Sequence, residues 1–165
     1  MSRHRTIPDD QIFAAIRVLI AETGAVTFAS VAAATGLAGP TLAQRYGSVT
    51  GMVEAALEPV WTKLEATFAR VAGAVGPTAK GAQDLLKALG DSDLAEITVL
   101  AAMFRIPALK DRAEDWRNRV EAALARPLGS AAAAQLVFAA WQGQALWHPA
   151  GGKRFRLKDV VKRLT

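Results

Sequence analysis

The chain has 165 residues, of which 52% are hydrophobic and 21% charged, with a net charge of +5 and no cysteine. That length suits one compact domain or a small module joined to a larger one, and the apolar fraction is enough to fill a core. The missing thiols exclude disulfides, thiolate metal sites and cysteine nucleophiles, and they fit a reducing, cytoplasmic setting.

The first six residues, Met-Ser-Arg-His-Arg-Thr, are polar and basic rather than an apolar leader. Pro8, Asp9 and Asp10 suit a first helical turn, where acidic side chains meet the positive end of the helix dipole. Apolar residues then recur at Ile12, Phe13, Ile16, Leu19 and Ile20, one helical stripe that Gly24 ends. Thr27 is placed to cap a second helix over residues 28–35, closed by Gly36. A third starts among Ala38, Gly39 and Pro40 and reaches Tyr46. Gly47 breaks it, and Ser48 caps a long fourth helix to residue 72. Pro59 lies inside that helix, which predicts a kink or break near Leu57.

Gly73, Gly76 and Pro77 form a joint. Further helices are expected over residues 79–89, 93–105, 108–126 and 131–147, separated by Gly90, by Pro107 and by Pro127 with Gly129. A loop from His148 leads to a short basic helix over residues 155–164, with Leu157, Val160, Val161 and Leu164 on one side. The charge excess sits in this tail, where Lys153, Arg154, Arg156, Lys158, Lys162 and Arg163 face Asp159 alone. The tail helix docks on its own domain or a partner, or else meets an anionic membrane or acidic protein. No strand is expected, so the fold class is all-α. No run approaches the ~20 apolar residues of a membrane span. His4 and His148 are far apart and show no metal-ligand spacing, so no metal or other cofactor is expected.

The informative stretch is residues 26–57, which reads as short helix, tight turn, short helix. Ala32 is small where two helices must cross, and Gly36 permits the positive φ that reverses the chain. Val31, Leu37 and Leu42 form the apolar hinge, and Tyr46, one turn beyond Leu42, packs on the first helix. With these inside, Thr41, Gln44 and Arg45 point outward. Gln pairs with an adenine edge and Arg with a guanine edge, and a helix fits the major groove. The plainer reading is a solvated helix face. Arg3 and Arg5 read as a minor-groove arm or as a frayed terminus.

In these residues the chain resembles the tetracycline-repressor (TetR) family of regulators. The stretch T-F-A-S-V-A-A-A-T-G-L-A-G-P-T-L-A-Q-R-Y-G-S-V-T-G-M-V, residues 27–53, supplies Thr27, Val31, Ala32, Gly36, Leu37, Leu42, an aromatic at Tyr46, and Ser48. It departs from the family at Ala38, where Ser or Thr is usual, at Ala43 in place of Tyr, and at Val49-Thr50 in place of Lys-Glu. Each departure removes a contact to the DNA backbone or a helix cap. The resemblance implies a three-helix helix-turn-helix domain over residues 1–50 and a helical effector-binding and dimerisation domain over residues 51–165. It implies duplex DNA as partner, held by Thr27, Gly39, Pro40, Thr41, Gln44, Arg45, Tyr46 and Thr50. It implies a two-fold homodimer on a palindromic operator, through Ala132, Gln135, Ala139, Gly143, Trp147, Leu157 and Val161 on the last two helices. The fourth helix joins the two domains and is the natural lever.

All four tryptophans, Trp61, Trp116, Trp141 and Trp147, lie beyond the DNA-reading segment. With Phe68, Met103, Phe104 and Phe138 they read as core, or as walls of a cavity for a small apolar effector with Gln142, Gln135 and His148 as polar contacts. The leading expectation is therefore a ligand-responsive DNA-binding repressor. The alternative is a carrier of lipid or another small apolar ligand that kept this fold and lost DNA binding, as the departures and the nearly neutral first fifty residues suggest. An enzyme is not expected, because no nucleophile elbow, phosphate-cradling glycine loop or carboxylate pair is present. Asp91, Asp93 and Glu96 read as an acidic helix start.

Overall fold

Helix ends in this chain fall where the side chains supply caps and the glycines supply left-handed backbone. A computed structural model describes residues 7–90, 104, 106–147, 150, 151 and 156–164, and every regular element among them is helical. Pro8 stands in extended conformation before α1 (Asp9–Thr23), which buries Ile12, Ile16 and Ile20 along one stripe. Before α2 (Phe28–Thr35), the Ser30 N–H donates to Thr27 Oγ1 and the Thr27 N–H donates to Ser30 Oγ, each at 3.0 Å. This reciprocal pair satisfies two donors that a helix start otherwise leaves open. Gly36, at φ 75°, ends α2 and lets the chain reverse into α3 (Gly39–Tyr46). Ala38 gives α3 no side-chain cap, whereas Ser48 accepts from the Gly51 N–H at 2.9 Å and opens α4.

Helix α4 (Val49–Ala72) is continuous, so the expected break near Leu57 is absent and Pro59 lies within the helix. A proline removes one helical N–H and crowds the preceding turn. In that turn the Ala56 carbonyl accepts from Arg17 Nη1 of α1 at 3.2 Å. Pro59 has no N–H for the Ala55 carbonyl, which immediately precedes the Ala56 carbonyl that Arg17 reaches. The boundary expected after residue 50 falls inside α4, which both halves of the chain share.

Among the described residues four more helices follow: α5 (Ala79–Gly90), α6 (Pro107–Leu128), α7 (Ala131–Trp147) and α8 (Leu157–Leu164). The helix expected over residues 93–105 lies almost wholly outside the described residues, as do Arg3, Arg5, Met103 and His148. Helices α1–α3 pack together and reach the rest of the chain mainly through α4. Helix α4 packs on α5 and α6, and α6 and α7 form the most extensive helix pair. Helix α8 lies against α5 and α7 with Val161 fully buried and Lys158, Lys162 and Arg163 exposed. It docks on its own chain. One apolar cluster runs from Ile12 to Val161. No single helix among the described residues is long and apolar enough to cross a membrane.

An ion-pair network clamps α4 to α6. Arg112 donates from Nε and Nη2 to the two Glu65 oxygens at 2.8 Å each, and from Nη1 to Glu58 at 2.6 Å. Its guanidinium also lies 5.7 Å from the Trp61 ring. The Arg112 hydrogen bond holds the Glu65 carboxyl below the usual carboxylate range, against an opposing effect of burial. A depressed folded-state pKa stabilises above the ordinary Glu range and loses that contribution as pH falls through the folded value. Glu65→Gln is expected to cost about 1–2 kcal/mol at neutral pH and to flatten the loss of stability on acidification. Urea titrations at stepped pH check this; parallel wild-type and variant curves would refute it.

Candidate functional site

The helix pair α2–α3 is built around a buried hinge. Val31 and Leu42 are fully buried, and Ala32 and Leu37 pack half-buried against the same cluster. Tyr46 packs on α1, its ring 6.2 Å from Phe13. With this side inward, α3 exposes Pro40, Thr41, Gln44 and Arg45, while Gly39 is half-buried. Thr27 and Thr50, at the starts of α2 and α4, are exposed on the same three-helix unit. Thr27 also serves as the cap of α2.

Arg45 is exposed but not free. Its Nη2 pairs with Asp9 Oδ2 at 2.9 Å, its Nη1 donates to the Ile7 carbonyl at 3.2 Å, and the guanidinium sits 5.7 Å from the Tyr46 ring centroid. The Tyr46 hydroxyl donates to the other Asp9 oxygen. Asp9 thus holds both α3 side chains against the start of α1. The sequence offers Asp9 only as a helix-dipole residue, and nothing local to it signals this second role.

Burial, the hydrogen bond to Asp9 and the Asp9 charge push the Tyr46 hydroxyl up to about 12, with Arg45 opposing. A raised folded-state pKa stabilises below the ordinary tyrosine value and loses that contribution as pH rises through the folded value. Tyr46 is the single tyrosine of the chain, so tyrosinate absorbance reads it alone. The expected midpoint is near 12, moving down in Asp9→Ala. A wild-type midpoint at the ordinary value would show that the Asp9 contact does not persist in solution.

A second site opens between α4, α6 and α7. Aromatic rings meet in series: Trp61 and Trp116 at 6.4 Å, Trp116 and Phe138 at 6.1 Å, and Phe138 and Trp141 at 5.8 Å. Beside them lies a cleft of about 540 Å³, within the range of small-molecule sites. Trp61, Phe104, Trp116, Phe138 and Gln142 line it, five of the expected ligand residues. Phe68 instead packs in the core beneath Arg119, and Trp141 backs Phe138 without reaching the wall. Met103 is outside the described residues.

The cleft also has features that sequence reasoning missed. Lys110, Glu114, Arg117 and Glu121 line one side, together with Ala113 and Ala139, beside Gln135, an expected polar contact. The signal of the four charged residues was available, because they follow one another at steps of four, three and four, a helical stripe beside that of Ala113 and Trp116. The indole Nε1 atoms of Trp61 and Trp116 are buried and find no hydrogen-bond partner among the described residues. Leaving such a donor unpaired costs about 1–3 kcal/mol.

The outer face of α7 carries Ala132, Gln135, Leu136 and Ala139, all exposed, then half-buried Gly143 and exposed Leu146 and Trp147. Leu136, Leu146 and Trp147 are 56%, 54% and 69% exposed. Ala132, Leu136, Ala139, Gly143 and Leu146 advance in alternating steps of four and three, the repeat of a helix-pairing seam. Five of the expected interface residues lie on or beside this seam. Leu157 is the first residue of α8, and Val161 is buried within the chain's own core, where it offers a second copy no surface. Gln135 and Ala139 belong to both the outer face and the cleft.

The chain matches no protein-family model, and no curated protein matches its sequence. Its structure is similar to the crystal structure of a candidate transcriptional regulator from Streptomyces coelicolor A3(2). The two superpose with a TM-score of 0.63 at 18% identity, over 93% of this chain and 94% of the other. At that identity the likeness establishes a shared all-helical fold along nearly the whole chain.

Proposed function

We propose that this chain is a ligand-responsive DNA-binding transcriptional regulator of the tetracycline-repressor kind, acting as a cytoplasmic repressor. The observation that carries the reading is the α2–α3 pair, a tight turn over a buried hinge with Thr41 and Gln44 exposed on α3. A shared fold with a candidate regulator over 93% of the chain supports it. Residues 1–50 act as the DNA-reading head and residues 51–165 as the effector and dimerisation part. Two copies pair through the outer face of α7 and so match a palindromic site. A small apolar effector enters the cleft beside Trp61 and Trp116. Because α4 contributes to that cleft and carries α1 and α3, effector binding resets the spacing of the two heads. The shift requires that the effector bind one spacing better than the other. No catalytic step is assigned.

The test is binding of the purified chain to a genomic fragment pool and to the DNA flanking its own gene, titrated against salt. Tight, sequence-dependent binding that weakens steeply with salt is expected. Weak, sequence-blind binding throughout would sink the regulator.

A second reading, a carrier of lipid or another small apolar ligand without DNA binding, is favoured by the Arg45–Asp9 pair, by Ala38 just before the reading helix and by Ala43 on it. It requires ligand uptake with no salt-sensitive DNA binding.

A further inference from the structure

We propose that the exposed basic face of α8 is a second contact for duplex DNA, one that grips the phosphate backbone without reading sequence. The proposal rests on the regulator reading only for its choice of partner, and it concerns a surface apart from α3.

The first ground is where the charge lies. The chain has 20 basic and 15 acidic residues. Residues 151–165 hold six of the basic and one of the acidic, so the other 150 residues balance at 14 each. Asp91, Asp93 and Glu96, the acidic residues that follow α5 in sequence, are too few to cancel that excess wherever they lie. The second ground is presentation. Val161 is fully buried and α8 packs on α5 and α7, so the helix is held in place on its own chain. Its exposed positions are Lys158, Lys162 and Arg163, with Arg156 just before it. Arg156 pairs with Asp159 at 2.9 Å, while the other three have no acidic partner among the described residues. The third ground is what the reading head lacks. From Ile7 to Thr50 the cations are Arg17 and Arg45. Both are engaged, Arg17 with the Ala56 carbonyl and Arg45 with Asp9. Binding to duplex DNA draws on cations that neutralise phosphates, and α8 offers three that are free.

The same features choose among anionic partners. A bilayer takes up a basic helix through its apolar face, and on α8 that face is turned into the protein, with Val161 buried and Val160 and Leu164 half-buried. A protein partner is held by aromatic and apolar anchors, whereas the positions of α8 described as exposed are all cationic. A row of phosphates needs only the charges.

The test is the anisotropy of a short labelled duplex of random sequence, titrated with the full chain at stepped salt. Three proteins are compared. One is the wild type and one is Lys158→Gln/Lys162→Gln/Arg163→Gln. The third, Arg70→Gln/Lys110→Gln/Arg117→Gln, removes three exposed cations from α4 and α6 instead. The two variants carry the same net charge, and thermal melts establish that they are folded. The wild type is expected to bind with an affinity that falls steeply with salt. Each lost phosphate contact lowers the slope of log affinity against log salt by about 0.9, so the α8 variant should lose about two to three units of slope and about tenfold or more in affinity at low salt. The control should lose less than about one unit. Lys162→Gln alone should lose about one unit and serves in place of the triple variant if that one does not fold. The proposal is overturned if the wild type fails to bind the random duplex, if the α8 variants keep the wild-type slope, or if the control loses as much. Binding to phosphatidylserine vesicles but not to the duplex, lost in the α8 variant, would assign the face to a membrane instead. A chain that prefers no sequence but loses slope in the α8 variant keeps this proposal and loses the regulator. One that selects a site while the α8 variant keeps its slope does the reverse.

Discussion

On the proposed regulator reading, a Gln44→Ala/Arg45→Ala double variant is expected to lose about a hundredfold or more in affinity for its specific DNA site, because that reading gives the two side chains base-edge contacts worth a few kcal/mol together. The fold should survive. Gln44 is exposed, and the Arg45–Asp9 pair is 34% and 46% exposed on its two sides, where an ion pair stabilises little. The residual binding should be sequence-blind and still salt-sensitive, its salt slope reduced by about one unit at most for the lost cation. Asp9→Asn supplies the opposite arm. It weakens the carboxylate that holds Arg45 and Tyr46 against α1, so it should leave specific affinity unchanged or raise it. Gel-shift or anisotropy titrations at two salt concentrations read both variants. Unchanged affinity in the double variant would remove α3 from the reading role. Weakened binding in Asp9→Asn would mean that the pair is needed to present α3 rather than to restrain it.

The same residues show where sequence reasoning succeeds and where it stops. Helix ends were legible because their causes are local. Thr27 and Ser48 cap helices, and Gly36 and Gly129 adopt the left-handed backbone that stops them. The hinge was legible because Val31 and Leu42 recur at helical spacing beside small Ala32. Pro59 offers a kink or a break by its chemistry alone, and the helix runs through it without a break. Arg45 points outward by helical position, yet a carboxylate on α1 bends it back. Among the aromatics, spacing marks burial but not which ring borders a void, so Trp116 and Phe68 looked alike until α4 and α6 were packed together. Val161 shares an apolar stripe with Val160 and Leu164, but only the docked position of α8 shows that this stripe faces the chain's own core.

Among the described glycines, Gly81→Ala is the substitution whose added Cβ makes the closest contact, and it is expected to be strongly destabilising. An alanine inside a helix normally stabilises relative to glycine by up to about 1 kcal/mol. Here the added Cβ would lie 2.2 Å from the Gly76 carbonyl oxygen, 2.8 Å from its nitrogen and 2.9 Å from its carbonyl carbon. All three are backbone atoms, so no rotamer change relieves the contact, and the turn joining α4 to α5 must move. Buried Ala82, Leu85, Leu86 and Leu89 follow on the same helix, and they pack into the core that α4 and α6 share. Moving the turn therefore disturbs more than the turn. Overpacking of this kind costs about 3 kcal/mol, and in a chain of this size that lowers the melting temperature by about 10 °C. Gly73→Ala is the matched control. Gly73 has φ −68° at the end of α4, and an added Cβ meets nothing within 4 Å. That substitution restricts only the unfolded chain and should be neutral or stabilising by about 0.5 kcal/mol. Thermal melts of the two variants beside the wild type decide the matter: the turn is held against α5 if Gly81→Ala melts far below Gly73→Ala, and it yields freely if the two melt together.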